Sequence, residues 1–199
     1  GNHDPLDGWS AIREWPDCVT VFRGQEVDSV GVEQGGQRLA TVHGISYATR
    51  EVMENLALRF SRGTEPGLHI GLLHCNAGSN PEHAPYSPCS LDDLRRAGMD
   101  YWALGHIHKR AILAKDPWIV YPGNLQGRSP KGSEQGPKGA LVVEVEHGAI
   151  REPSFVPLDR VRFVQLDASV NEIPDLPSLR TNLLREAEAL RCQHAGRGL

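Results

Sequence analysis

The sequence predicts an α/β fold. Apolar runs of strand length dominate it, each short, β-branched or aromatic, and bounded by glycine, proline or aspartate. Helical periodicity is present but rarer. Metal-type ligands follow two of the predicted strands, where the crevice of an α/β sheet gathers its functional groups.

The expected strands cover residues 18–23, 27–32, 38–43, 69–74, 101–104, 110–114, 118–121, 140–146 and 161–166. The run Val142-Val143-Glu144-Val145-Glu146 alternates near its end, as a half-solvated strand does. Three helices are expected. Residues 49–62 place Val52, Leu56 and Phe60 at helical spacing, with Met53 beside them. Residues 91–97 follow Ser90 as N-cap, carry Asp92 and Asp93 in the first turn, and end before Gly98 at C′. Residues 179–191 carry Leu183, Leu184, Ala187 and Leu190 on one side. The stretches 76–88 and 123–138 are loops by their proline and glycine content. A boundary is expected at 157–160, where strands give way to a polar, proline-containing linker.

A chain of 199 residues can bury one sizeable core, and 39 % hydrophobic with 23 % charged residues is ordinary for a globular protein. The formal net charge of -4 gives no global basic character, so nucleic-acid binding would need a local patch or metal ions. Cys18, Cys75, Cys89 and Cys192 show no CxxC or zinc-ribbon spacing and read as free thiols in a reducing cytoplasm. No apolar run is long enough to span a membrane, and no signal peptide is visible.

Chemistry concentrates in three motifs: GNHD at 1–4, GLLHCN at 71–76 and GHIH at 105–108. His74 and His106 both follow apolar runs. Gly105 is expected to allow a sharp turn, after which His106 and His108 can face one site. Imidazoles are good ligands for zinc, manganese or iron, and an Asn side-chain oxygen can add to them. A single histidine at a strand end is more often structural, so His43, His69, His83, His147 and His194 carry no assignment. The three motifs together, in this order and spacing, outweigh that.

With these motifs the chain resembles the calcineurin-like metallophosphoesterase superfamily over about residues 1–165. Within it, GHIHKR at 105–110, YPGNLQGR at 121–128 and GPKGALVVEVE at 136–146 resemble the SbcD/YhaO-type DNA-repair exonucleases. The resemblance implies an α/β/β/α sandwich over 1–158 and the start of a small capping domain over 159–199. It implies that Asn2, His74 and His106 ligate one metal and His108 another. His3 would act beside the scissile phosphate, oriented by Asp4. The two divalent ions of the complete enzyme would be manganese, the usual metal of such nucleases. The family's DxH and GDxxD motifs precede GNHD and have no counterpart after Gly1. The resemblance therefore implies an N-terminally incomplete sandwich with an exposed edge and apolar surface. Such a chain would hold one ion or none and hydrolyse weakly by itself.

Lys109, Arg110, Asn124 and Arg128 are the expected substrate contacts, with Lys131 and Lys138 nearby; an ordinary solvated loop is the competing reading. Trp102 and Trp118 read as core rather than as stacking platforms for bases. The expected activity is phosphodiester hydrolysis, exonucleolytic on DNA. An ATPase partner subunit and a homodimer are implied by the resemblance alone. Two alternatives stay open: a phosphomonoesterase of the same superfamily, and a non-catalytic piece that binds nucleic acid or a partner.

Overall fold

The computed structural model describes residues 1–9, 15–78, 81, 83–171 and 173–197. They form two compact units. The first comprises Gly1–Gly123 and Val143–Glu152, the second Asn124–Val142 and Pro153–Leu199.

The first unit is a mixed α/β structure around a six-stranded sheet. Its strands are β1 (Asp28–Gln34), β2 (Gln37–Gly44), β3 (Leu68–His74), β4 (Tyr101–Gly105), β5 (Ala111–Lys115) and β6 (Trp118–Tyr121), in the order β1-β2-β3-β4-β6-β5. The central strands β2, β3, β4 and β6 are parallel, and β1 and β5 flank them antiparallel. Parallel neighbours need crossovers. The β2-to-β3 connection holds a 3-10 turn at Leu56–Arg59, and the β3-to-β4 connection holds helix α1 (Leu91–Arg96). Ser90 and Asp93 close a reciprocal capping box on α1, and Gly98 follows the C-cap at φ +75°.

One face of the sheet carries the core. Leu73, Trp102, Leu104 and Ile119 are packed there with Leu56, Phe60 and Leu94. Trp102 lies opposite Gly71 in the β3–β4 register, and a Cβ on Gly71 would come within 2.4 Å of the indole. Leu72, pointing the other way from the middle of β3, stays 44 % exposed.

Four expected elements differ from what forms. Residues 18–23 make no strand; Val19 and Val21 are exposed there, and the Arg23 carbonyl is taken by the Ser46 amide. Residues 49–62 make only the short turn at Leu56–Arg59. A helix would bond the Leu56 amide to the Val52 carbonyl, but Ser87 occupies both ends of that bond. Its amide donates to Val52 O at 2.7 Å, and its Oγ accepts from Leu56 N at 3.2 Å. The apolar spacing there was real, since Leu56 and Phe60 are buried, but it marks a core contact rather than a helix. The run 140–146 splits into β7 (Gly139–Val142) and β8 (Val145–Glu146), with β8 paired to β9 (Ala149–Ile150) in the first unit. Residues 161–166 form no strand, because Gln126 clamps the Arg160 and Val161 amides and the Val161 carbonyl.

In the second unit, β7 pairs antiparallel with β10 (Ser154–Pro157). Helix α2 (Leu176–Gln193) begins one turn earlier than its apolar pattern announced. Asp175 caps it through the Ser178 amide, and Pro177 occupies its first turn. Lys138, a candidate phosphate contact by sequence, is buried instead and donates to the Ser133 carbonyl at 2.5 Å.

A buried polar chain crosses β1, β2 and β3. The Glu65 carbonyl can only accept, so His69 Nε2 carries the proton of that 3.0 Å bond. With that proton on Nε2, His69 accepts at Nδ1 from His43 Nε2 at 2.9 Å, and His43 Nδ1 accepts from Ser29 Oγ at 2.8 Å. A proton at His69 Nδ1 would set two N–H groups against each other, whereas one at His43 Nδ1 would make the Ser29 hydroxyl turn and accept. Burial lowers the His43 pKa, His69 and Arg62 add to the effect, and Glu65 opposes it. The unfolded chain takes up a proton at His43 below about pH 6.5, and the folded chain does so only further down. Stability should therefore fall on acidification from that point, by at most about 1.4 kcal/mol per pH unit. Urea unfolding between about pH 7 and about pH 5 reads this slope, and His43→Gln should flatten it. Equal slopes in the two proteins would refute the account.

Candidate metal centre

β3 and β4 deliver the chemistry to one edge of the sheet. His74 ends β3 and pairs with Gly105, which ends β4 and is followed by His106. Parallel strands in register thus place the two imidazoles side by side, with ring centroids 5.2 Å apart and planes at 60°. Asn2 comes to the same place and is buried, its Oδ1 accepting from His74 Nε2 at 2.8 Å.

Glycine makes room for this. A Cβ on Gly1 would stand 2.5 Å from His74 Nδ1, and one on Gly105 would stand 2.9 Å from it. The expected turn at Gly105 is not where the backbone strains. His106 itself takes φ +98°, a left-handed conformation that costs a non-glycine residue of order 1–3 kcal/mol and persists where surroundings hold it. Those surroundings are the loop between β3 and α1. His106 Nε2 donates to the Ala84 carbonyl at 2.9 Å, and the rings of His83 and Tyr86 meet His106 edge-on at 5.8 and 5.6 Å. Two tyrosines pin the strand exit. Tyr47 donates its hydroxyl to the His74 carbonyl at 2.7 Å, and Tyr121 donates to the Cys75 carbonyl at 2.7 Å.

Both histidines are held neutral. Burial pushes His74 down to about 3, with the Gly1 amine and His106 acting the same way against Asp4. Burial also lowers His106; its bond to Ala84 opposes that, and His83, His108 and His3 reinforce it. Neutral imidazole is the ligating form.

The donor set fits one divalent ion on one side. The Asn2 oxygen and His74 Nε2 face each other at 2.8 Å across a proton that an ion would displace, leaving His74 protonated at Nδ1, and two imidazoles with a carboxamide oxygen suit a borderline metal. Among the described residues, no three His, Cys, Asp or Glu side chains converge as a cage, so His108 does not join His74 and His106 in one group. His108 is half-buried, and Lys109 and Arg110 after it are exposed. His3 and Asp4 are exposed, and Asp4 pairs with the Gly1 amine at 2.7 Å.

The chain is 46 % identical over 152 residues to YhaO of Bacillus subtilis (strain 168), an uncharacterised metallophosphoesterase. It is a homologue of a metallophosphoesterase. The match covers 75 % of this chain, which spans 36 % of the length of YhaO. No protein-family profile matches the chain. Among the described residues, no helix is long and apolar enough to cross a membrane.

In this metallophosphoesterase homologue, Asn124 and Arg128 belong to the second unit. There Asn124 Nδ2 donates to the buried Glu134 carboxylate at 2.8 Å, and the Arg128 amide donates to it at 3.2 Å. Asn124 Oδ1 is buried and has no hydrogen-bond partner among the described residues. Sequence reading missed Tyr47, Tyr121 and Asn76 as supports of the centre. Asn76 had a local signal, standing two residues after the strand-end histidine, whereas the tyrosines arrive only through the fold.

Proposed function

We propose that the chain carries part of the active site of a metal-dependent phosphodiester hydrolase acting on DNA. Asn2, His74 and His106 hold one divalent ion, manganese in the cell, and His108 serves a second. A bound ion supplies Lewis-acid polarisation of the phosphate and a water of lowered pKa. His3, exposed beside this cluster, gives a proton to the leaving oxygen, and Asp4 limits its orientations. Lys109 and Arg110, exposed directly after GHIH, hold backbone phosphates.

The observation that carries this reading is the meeting of Asn2 Oδ1 and His74 Nε2 at 2.8 Å, with His106 alongside. Elemental analysis after manganese loading tests it. The wild-type chain should retain metal, and His74→Ala and His106→Ala should each lose it. Retention by both variants, or none in the wild type, would sink the proposal. Turnover of DNA against a nitrophenyl phosphate monoester by the loaded chain separates diester from monoester chemistry.

A further inference from the structure

His106 is a strained residue whose ring is aimed by something outside its own strand, and the bonds that aim it converge on Asn76. Asn76 is buried, and its side-chain Nδ2 donates to the carbonyls of His83 and Ala84, both at 3.3 Å. Its backbone amide donates to the Tyr86 carbonyl at 2.8 Å, and its carbonyl accepts from the Cys89 amide at 3.2 Å. One residue therefore fastens the loop from His83 to Cys89 at four points. The same loop presents the Ala84 carbonyl to His106 Nε2 and the Tyr86 ring to its edge.

We infer that Asn76 is a positioning residue for His106, acting through the Ala84 carbonyl to fix which ring nitrogen keeps its lone pair. The inference rests on the metal-centre reading for its consequence, though not for its geometry. A carbonyl oxygen can only accept, so His106 Nε2 is the protonated nitrogen and Nδ1 is left to bind. Outer groups that hold a ligand's tautomer in this way commonly contribute a factor of ~10–100 to metal affinity. The Tyr86 amide also donates to the Ala84 carbonyl, at 2.8 Å, so without the Asn76 side-chain donors that carbonyl keeps a local bond but loses its tie to the strand exit and can turn with the loop. His106 then loses both its tautomer preference and the support for its positive φ.

The test uses Asn76→Asp, which keeps the side-chain shape and removes both donors. Asn76→Ser serves as a second variant should the first not fold. His83→Ala is the control, since it removes a ring but keeps the carbonyl that Asn76 bonds. Nitrogen-15 spectra of histidine-labelled, metal-free chain near neutral pH report the tautomer directly. Wild type and His83→Ala should show His106 protonated at Nε2, and Asn76→Asp should show mixed tautomers. Cobalt(II) titration followed by its visible absorption should weaken by ~10-fold or more in Asn76→Asp. An unchanged tautomer with unchanged cobalt affinity in a folded variant would overturn the inference and leave the metal centre standing. A tautomer shift in a chain that takes up no cobalt would uphold the positioning role and remove the metal reading.

Discussion

Trp102→Ala should destabilise the first unit by about 3–5 kcal/mol, a large share of the 5–15 kcal/mol that holds a typical domain together. The indole is fully buried and joins three parts of the structure. It lies on Gly71 of the neighbouring strand, meets Phe60 edge-on at 4.9 Å, and donates Nε1–H to the Leu94 carbonyl of α1 at 3.0 Å. Truncation leaves a cavity against a close-packed wall and takes the indole partner from a carbonyl near the helix end. Filling by small adjustments is blocked because Gly71 has no side chain to move in. Circular dichroism during urea unfolding should show the midpoint collapse. Trp118→Ala, at a half-buried position, should cost much less. A loss below about 1 kcal/mol for Trp102→Ala would mean the core closes over the gap, contrary to the packing described.

How much of this was legible beforehand depends on whether the deciding partner lay nearby in sequence. Ser90, Asp93 and Gly98 fall within one short stretch, and the helix they delimit was placed correctly. The strands around β2, β3, β4 and β6 declared themselves by apolar runs, because a central strand supplies apolar side chains to the face that packs, as Leu73, Trp102, Leu104 and Ile119 do. Residues 49–62 failed because a helix and a short turn can bury the same Leu56 and Phe60. The choice fell to Ser87, some thirty residues away, which took the bond a helix needed. Residues 140–146 failed for a related reason. One alternating run served two different ladders, and sequence alternation does not say which partner each half will find.

The centre divides in the same way. His74 and His106 follow apolar runs that end at strand exits, and parallel register brings them side by side, whereas Asn2 follows no strand and reaches them only through the fold. The source of the turn was misassigned. Gly105 is required for the close approach of His74, and the strained torsion falls on His106. A glycine in a motif says that space or freedom is needed, and only the fold says which. The Ala84 carbonyl, Tyr47 and Tyr121 had no signature, since a backbone oxygen or a core tyrosine looks like any other until the chain folds.

The second unit contains a buried ion pair between Asp159 and Arg162, and Arg162→Ala should cost it about 3 kcal/mol or more. The Asp159 side chain has no solvent exposure, and Arg162 grips it with two bonds, Nε at 2.8 Å and Nη2 at 2.9 Å. The same arginine reaches His194 beyond α2 through Nη1 at 3.2 Å, and its backbone amide donates to the Arg197 carbonyl at 2.7 Å. Asp159 is anchored in turn by its amide to the Lys138 carbonyl at 3.2 Å. Removing the guanidinium strands a buried carboxylate with Arg197 at 4.0 Å as its remaining counter-charge. Burial tends to raise the Asp159 pKa, but the bonds from Arg162 prevail and hold it below the usual carboxylate range. The sign follows from that direction. The pair stabilises fully above the unfolded value of about 3.9, and its contribution is lost as pH falls through the lower folded value. The deficit of Arg162→Ala should therefore be largest near neutrality and should narrow as the stranded carboxylate takes a proton in acid. All four tryptophans lie in the first unit, so fluorescence does not report this event. Amide exchange in α2, β7 and β10 does, and it should quicken in Arg162→Ala while β3 and β4 stay protected. Unchanged exchange in α2 would show that the helix end is held by something other than this arginine.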